Sequence, residues 1–224
     1  MSEKSINKYI DHTLLKAFAT EADIEKLCSE AKEYHFKSVC VNPSNVSLAS
    51  RLLKDSDVLV CTVIGFPLGA NTTSVKVYET LDAVKNGATE IDMVINIGKA
   101  KEHDYAFIEN EIREVVKAAS GNLVKVIIET CYLTDEEKKE VCKAASLAKA
   151  TFVKTSTGFG TGGATCSDVS LMKQSINSDM FVKASGGIKT LEDCKNLIAS
   201  GASRIGASSG VAIMKDYLNE GEKN

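Results

Sequence analysis

The sequence predicts an α/β protein, residues 1–224, folded as one single-domain (β/α)8 or TIM barrel. Three observations carry that prediction. Short β-branched runs alternate with amphipathic helical stretches almost from end to end, the pattern of parallel strands joined by helical crossovers. The chain has 224 residues, and a closed barrel of this kind takes about 200 to 250. The strand candidates also carry charges at alternate positions, as an interior facing a catalytic mouth does. The competing architecture, an open doubly wound sheet, normally has a Gly-x-Gly-x-x-Gly turn after its first strand, and none occurs there.

In chain order, a weak first strand at "YIDHT" (9–13) is followed by "SVCVN" (38–42), "VLVCTVI" (58–64) and "EIDMVIN" (90–96). Then come "LVKVIIE" (123–129), "TFVK" (151–154), "MFVKA" (180–184) and "SRIG" (203–206). Helical periodicity fills the gaps, for example over 21–35, 73–87, 105–120 and 134–150. Thr20, Thr134 and Thr190 stand where a hydroxyl caps the first turn. Gly87, Gly121 and Gly201 stand where a helix ends in a left-handed residue.

Composition narrows the function. With 44% hydrophobic and 25% charged residues the chain reads as an ordinary globular protein. A net charge of −3 argues against a nucleic-acid partner or a polybasic membrane contact. The longest apolar run, "VLVCTVIGF", is far too short to span a bilayer, and "MSEKSINKYIDHT" lacks the apolar core of a signal peptide. A cytoplasmic location is expected, and seven cysteines without a Cys-x-x-Cys pair fit it. His12, His35 and His103 are scattered, so no metal and no other cofactor is expected. Only two prolines occur and no linker-like tract, and the chain ends in a short polar tail after Tyr217.

The chemistry lies in strand parity. Side chains alternate along a strand, so Glu90 and Asp92 share one face, and Lys125, Ile127 and Glu129 share another. Lys154 and Lys183 end successive strands in matching phrases, "FVKTSTGFG" and "FVKASGGIK". If these faces point inward, three acids balance three lysines, and such a buried cluster is tolerable only because it is paired. Two ammonium groups about 5 Å apart repel by roughly 3 kcal/mol at an effective dielectric near 20. That is about two pKa units, enough to bring one lysine of a pair from near 10.4 towards about 8. A neutral amine is what Schiff-base chemistry with a carbonyl requires. The two phrases are too alike to say which lysine is the nucleophile. Glycine-rich turns follow the last three strands, and Gly186, Gly187, Ser208 and Ser209 offer close backbone N–H groups and hydroxyls to a phosphate.

The segments "DHTLLK" (11–16), "VCVNP" (39–43), "VIGFPLG" (63–69), "EIDMVIN" (90–96), "KVIIET" (125–130), "FVKTSTGF" (152–159), "VKASGGI" (182–188) and "RIGASSG" (204–210) resemble the deoxyribose-phosphate aldolases in order and spacing. The resemblance runs through nearly the whole chain. It implies a metal-independent class I aldolase of deoxyribonucleotide catabolism, a lyase with no cofactor. Such an enzyme reversibly cleaves 2-deoxy-D-ribose 5-phosphate into D-glyceraldehyde 3-phosphate and acetaldehyde. It also implies that Lys154 forms the Schiff base, that Lys183 tunes its reactivity, and that Asp92 works in the proton relay. Thr13, Cys40, Thr157, Gly158, Gly186, Gly187, Gly206, Ser208 and Ser209 are the substrate- and phosphate-binding positions implied, with Asp11 and Asn42 at strand ends near the substrate. Cys40 matches a family cysteine that the basic chemistry does not need. The implied partners are a phosphosugar, small aldehydes and a second copy of the chain in a homodimer. Two departures stand out. Some relatives end in a tyrosine that reaches the active site, whereas Tyr217 is the last tyrosine here. Phe159 stands where some relatives carry a phosphate-binding lysine, which shifts phosphate binding towards backbone N–H groups and serines.

Overall fold

The computed structural model describes residues 5–221; residues 1–4 and the last three of the expected tail, 222–224, lie outside the described residues. Eight strands form, and each expected one is present. They are β1 (Ile10–Leu14), β2 (Ser38–Val41), β3 (Leu59–Ile64), β4 (Glu90–Val94), β5 (Leu123–Ile127), β6 (Phe152–Lys154), β7 (Phe181–Ser185) and β8 (Ala202–Ala207). All neighbours pair in parallel in sequence order, and β8 returns to β1 through Ile10 opposite Ile205, closing the barrel.

The helices follow the strands as crossovers: α1 (Glu21–Glu33), α2 (Val46–Leu53), α3 (Thr73–Lys85), α4 (Ile97–Lys101) and α5 (Tyr105–Ala118), then α6 (Asp135–Leu147), α7 (Cys166–Ser175), α8 (Leu191–Ala199) and α9 (Gly210–Gly221). The capping threonines do what their position predicts. Thr20, Thr134 and Thr190 each accept from the backbone of the third helical residue. Asp23, Glu137 and Asp193 bond back to the cap N–H, so two orphan donors are satisfied at each start. At the far ends, Gly87 (φ 103°) and Gly201 (φ 112°) directly follow the cap residues Asn86 and Ser200. After α5, Ser120 takes the left-handed position (φ 51°) one residue before Gly121.

The polar stretch after Tyr217 is helical as far as the described residues reach. Helix α9 continues through Leu218 to Gly221, and Tyr217 packs half-buried against the core. Among the described residues no helix is long and apolar enough to cross a membrane.

The apolar core lies between strands and helices. Outward-facing Val39, Val41, Ile91, Met93, Val124 and Val126 are fully or almost fully buried there. Parity therefore sends the charged partners of these residues into the barrel. A TIM barrel interior is usually filled by bulky branched side chains. Here Val94, Ile127 and Phe152, together with a small apolar cluster of Leu15, Cys40, Cys61 and Val63 on which Phe66 packs, share the interior with ion pairs. Register sets which charges meet: Asp92 lies beside Lys125, Lys154 beside Lys183, and Lys183 beside Arg204.

Candidate active site

Six charged side chains on five strands form a closed ring inside the barrel. Lys125 donates to Glu90 Oε2 at 2.6 Å and to Asp92 Oδ1 at 2.8 Å. Lys183 donates to Asp92 Oδ2 at 2.8 Å and pairs with Asp11 Oδ2 at 2.6 Å. Arg204 donates from Nε to Asp11 Oδ1 at 2.8 Å and from Nη1 to Glu90 Oε1 at 3.0 Å, with Nη2 shared between both acids. Glu90, Lys125, Asp92, Lys183, Asp11 and Arg204 thus alternate in sign around the ring, and their charges cancel. None is more than 3% exposed.

Lys154 is the seventh charge. It ends β6, its Nζ lies 2.7 Å from Asp92 Oδ2, and its side chain forms part of the cleft floor. Lys183 meets two carboxylates, whereas Lys154 meets one that Lys183 already shares. The two lysines that the sequence leaves equivalent are therefore unequal in charge environment. Lys183 closes a neutral ring; Lys154 is the surplus cation, and of the two it alone lines the cleft.

The electrostatics follow from this pairing. Burial opposes charge on Lys183, but Asp11 and Asp92 outweigh it and raise its pKa. Burial likewise pushes Asp92 up, and Lys125, Lys154 and Lys183 together overturn that and hold the carboxyl well below its usual range. Asp11 is held down in the same way by Arg204 and then Lys183. Cutting the ring is costly because buried carboxylate oxygens are left without donors. Arg204→Met leaves Asp11 and Glu90 without their shared partner and is expected to lower unfolding free energy by about 3–5 kcal/mol. Urea denaturation of the variant checks this, and a change under about 1 kcal/mol contradicts the ring's structural role.

Above the ring opens a cleft of about 310 Å³ at the C-terminal strand ends. Thr13, Thr157, Gly158, Gly186, Gly187, Gly206, Ser208 and Ser209 line it together with Lys154. Gly186 and Gly187 have φ of 87° and 79°, a turn that excludes most side chains. Ser208 and Ser209 lead into the N-terminus of α9, whose first N–H groups have no helical acceptor and can receive an anion.

Four placements differ from the sequence reading. Cys40 is fully buried outside the cleft wall, because Leu15 and Phe66 close over its side of the barrel. Its neighbour Cys61 donates instead to Asp92 Oδ1 at 3.1 Å. Asn42 sits past β2 before a short turn at Pro43 and also lies outside the cleft. Asp11 is not at the substrate surface but in the ring below it. Glu129 does not join the barrel charges: it lies two residues past β5 with φ 53°, which breaks strand alternation and turns its carboxylate towards Thr157. Sequence reasoning missed Arg204, although it shares parity with Gly206 in β8, and missed the cleft residues Ser185, Lys16 and Lys189. The two lysines end the "DHTLLK" and "SGGIK" segments, so their charge was on view there. Phe159 is exposed and meets Phe66 edge-on, with ring centroids 5.3 Å apart.

Cys40, Cys61 and Asp92 place potential ligand atoms within 4.8 Å of one another. This is a poor cation site, since Lys125, Lys154 and Lys183 already occupy both oxygens of Asp92.

Comparison with known proteins agrees with this geometry. The model of the DeoC/LacD family aldolases matches residues 5–216. The deoxyribose-phosphate aldolase of Lysinibacillus sphaericus is 60% identical, over 96% of this chain and 97% of its own. That of Carboxydothermus hydrogenoformans is 61% identical over 98% of both chains. Among solved structures, the tetrameric deoxyribose phosphate aldolase of Aeropyrum pernix superposes with a TM-score of 0.89 at 34% identity, covering 95% of this chain and 91% of that one. An aldolase designated QR15 superposes with 0.92 at 43% identity, covering 98% and 97%. The chain whose barrel holds this neutral ring beneath a cleft-facing lysine belongs to the DeoC/LacD family of aldolases.

Proposed function

We propose that the chain is a class I deoxyribose-phosphate aldolase that reversibly cleaves 2-deoxy-D-ribose 5-phosphate to D-glyceraldehyde 3-phosphate and acetaldehyde. The observation that carries this reading is Lys154 at the cleft floor, with its Nζ on the Asp92 oxygen that Lys183 shares. The relatives' printed names supply the substrate.

Lys154 attacks C1 of the open-chain sugar, and loss of water gives an iminium ion. That cation draws the electron pair of the C2–C3 bond as the C3 hydroxyl loses its proton, releasing glyceraldehyde 3-phosphate. The remaining enamine is protonated at C2, and hydrolysis frees acetaldehyde and the amine. Asp92 is held ionised by its lysines, so it is a weak base. Its main contribution is negative charge beside the iminium nitrogen. Protons move between substrate and the Asp92–Lys183 pair through water entering with the substrate. The phosphate sits against Gly186, Gly187, Gly206, Ser208 and Ser209 at the α9 N-terminus, with Thr13 on the adjoining strand β1.

No metal takes part in these steps, so cleavage is expected to survive prolonged treatment with a chelator; lost activity that added metal restores contradicts the class I reading. The seven cysteines are free thiols, which fits cytoplasmic action. Self-association as a homodimer belongs to the same reading, and light scattering of the purified chain tests it.

A further inference from the structure

We propose that Glu129 is a positioning residue that fixes the loop after β6 for the phosphate end of the substrate, a role that rests on the aldolase reading. The loop between β6 and α7 runs over residues 155–165 without regular structure and contains Gly158, Gly160, Gly162 and Gly163. So glycine-rich a segment has many conformations, and something must select one. Glu129 is only 2% exposed and holds a left-handed backbone (φ 53°, ψ 68°), which disfavours a non-glycine residue. Thr130 N–H donates to Thr155 carbonyl at 2.9 Å and locks that turn against the end of β6. The carboxylate then takes both donors of one loop residue: Oε1 accepts from Thr157 N–H at 3.1 Å, and Oε2 accepts from Thr157 Oγ1. Thr157 Oγ1 in turn accepts from Phe159 N–H at 3.0 Å.

Two consequences follow. Thr157 has no donor left for a phosphate, so its place on the cleft wall reflects loop shape and not anion binding. Gly158 (φ 85°), exposed at the turn between the two bonded residues, is the backbone group that the clamp presents to the cleft. Glu129 also fills the inside of the loop, since a side chain at Gly160 would meet its carboxyl carbon at 3.1 Å. Glu129 does not touch the reacting atoms.

Glu129→Gln keeps the volume but turns one acceptor into a donor that faces a Thr157 donor. In steady-state cleavage we expect KM for 2-deoxyribose 5-phosphate to rise about tenfold. Over the same assays kcat, and kcat/KM for unphosphorylated 2-deoxyribose, should stay within about threefold. Thr157→Val removes the hydroxyl from the other side and should reproduce the KM effect. The double variant should be little worse than either single one, as expected for partners in one interaction. Equal losses for the two sugars, or no change for either, overturn the proposal. If Glu129→Gln does not fold, Thr157→Val decides by the same criterion. Borohydride trapping of acetaldehyde separates the two levels: a wild-type chain that is not trapped sinks the aldolase reading, whereas intact trapping with equal losses sinks only the role of Glu129.

Discussion

Replacing Lys154 with leucine is expected to lower kcat for sugar-phosphate cleavage by about 10⁴-fold or more, with the fold intact. The reason lies in the charge count beneath the cleft. Glu90, Asp92 and Asp11 are balanced by Lys125, Lys183 and Arg204, so the ring stands without Lys154. Removing a surplus cation leaves no buried acid without a partner. Activity and stability therefore separate in this variant. Residual turnover above about a hundredth of wild type contradicts the assignment, as does a collapse of the thermal transition.

Lys183→Leu is expected to have the next largest effect and a different signature. Lys183 remains a cation across the working pH range because Asp11 and Asp92 raise its pKa over the cost of burial. With Lys183 gone, Asp92 keeps Lys125 and Lys154 and Asp11 keeps Arg204, but one carboxylate oxygen of Asp11 loses its donor and the buried site loses one positive charge. Cleavage at pH 7 should therefore fall by about 10²-fold. A rate within about threefold of wild type contradicts a role for Lys183 in the reaction. Unlike Lys154→Leu, this variant should also be destabilised, because it opens the ring.

Most of the architecture was legible in the sequence because parallel strands buried on both faces are continuous β-branched runs, as in "VLVCTVI" and "KVIIE". The first strand was weak because Asp11, His12 and Thr13 break its apolar run, and Asp11 is there for the ring. Local parity placed Glu90, Asp92, Lys125, Lys154 and Lys183 inside. It failed at Glu129, where a left-handed residue ends the alternation. Arg204 and the true position of Asp11 depend on closure of β8 against β1, a contact between the two ends of the chain that no local pattern carries. The same closure distinguishes the two lysines. Lys183 lies next to β8 and within reach of Asp11, while Lys154 lies one strand further away. Cys40 shares parity with the cleft residues, but the covering Leu15 and Phe66 come from loops.

The central claim is that Lys154, the surplus cation of the barrel, makes the bond to substrate. Its most direct test is reduction of the protein with sodium borohydride in the presence of acetaldehyde, followed by peptide mapping. The account predicts one ethyl group on Lys154 and none on Lys183. An ethyl group on Lys183, or no adduct from an enzyme that is turning over, contradicts it.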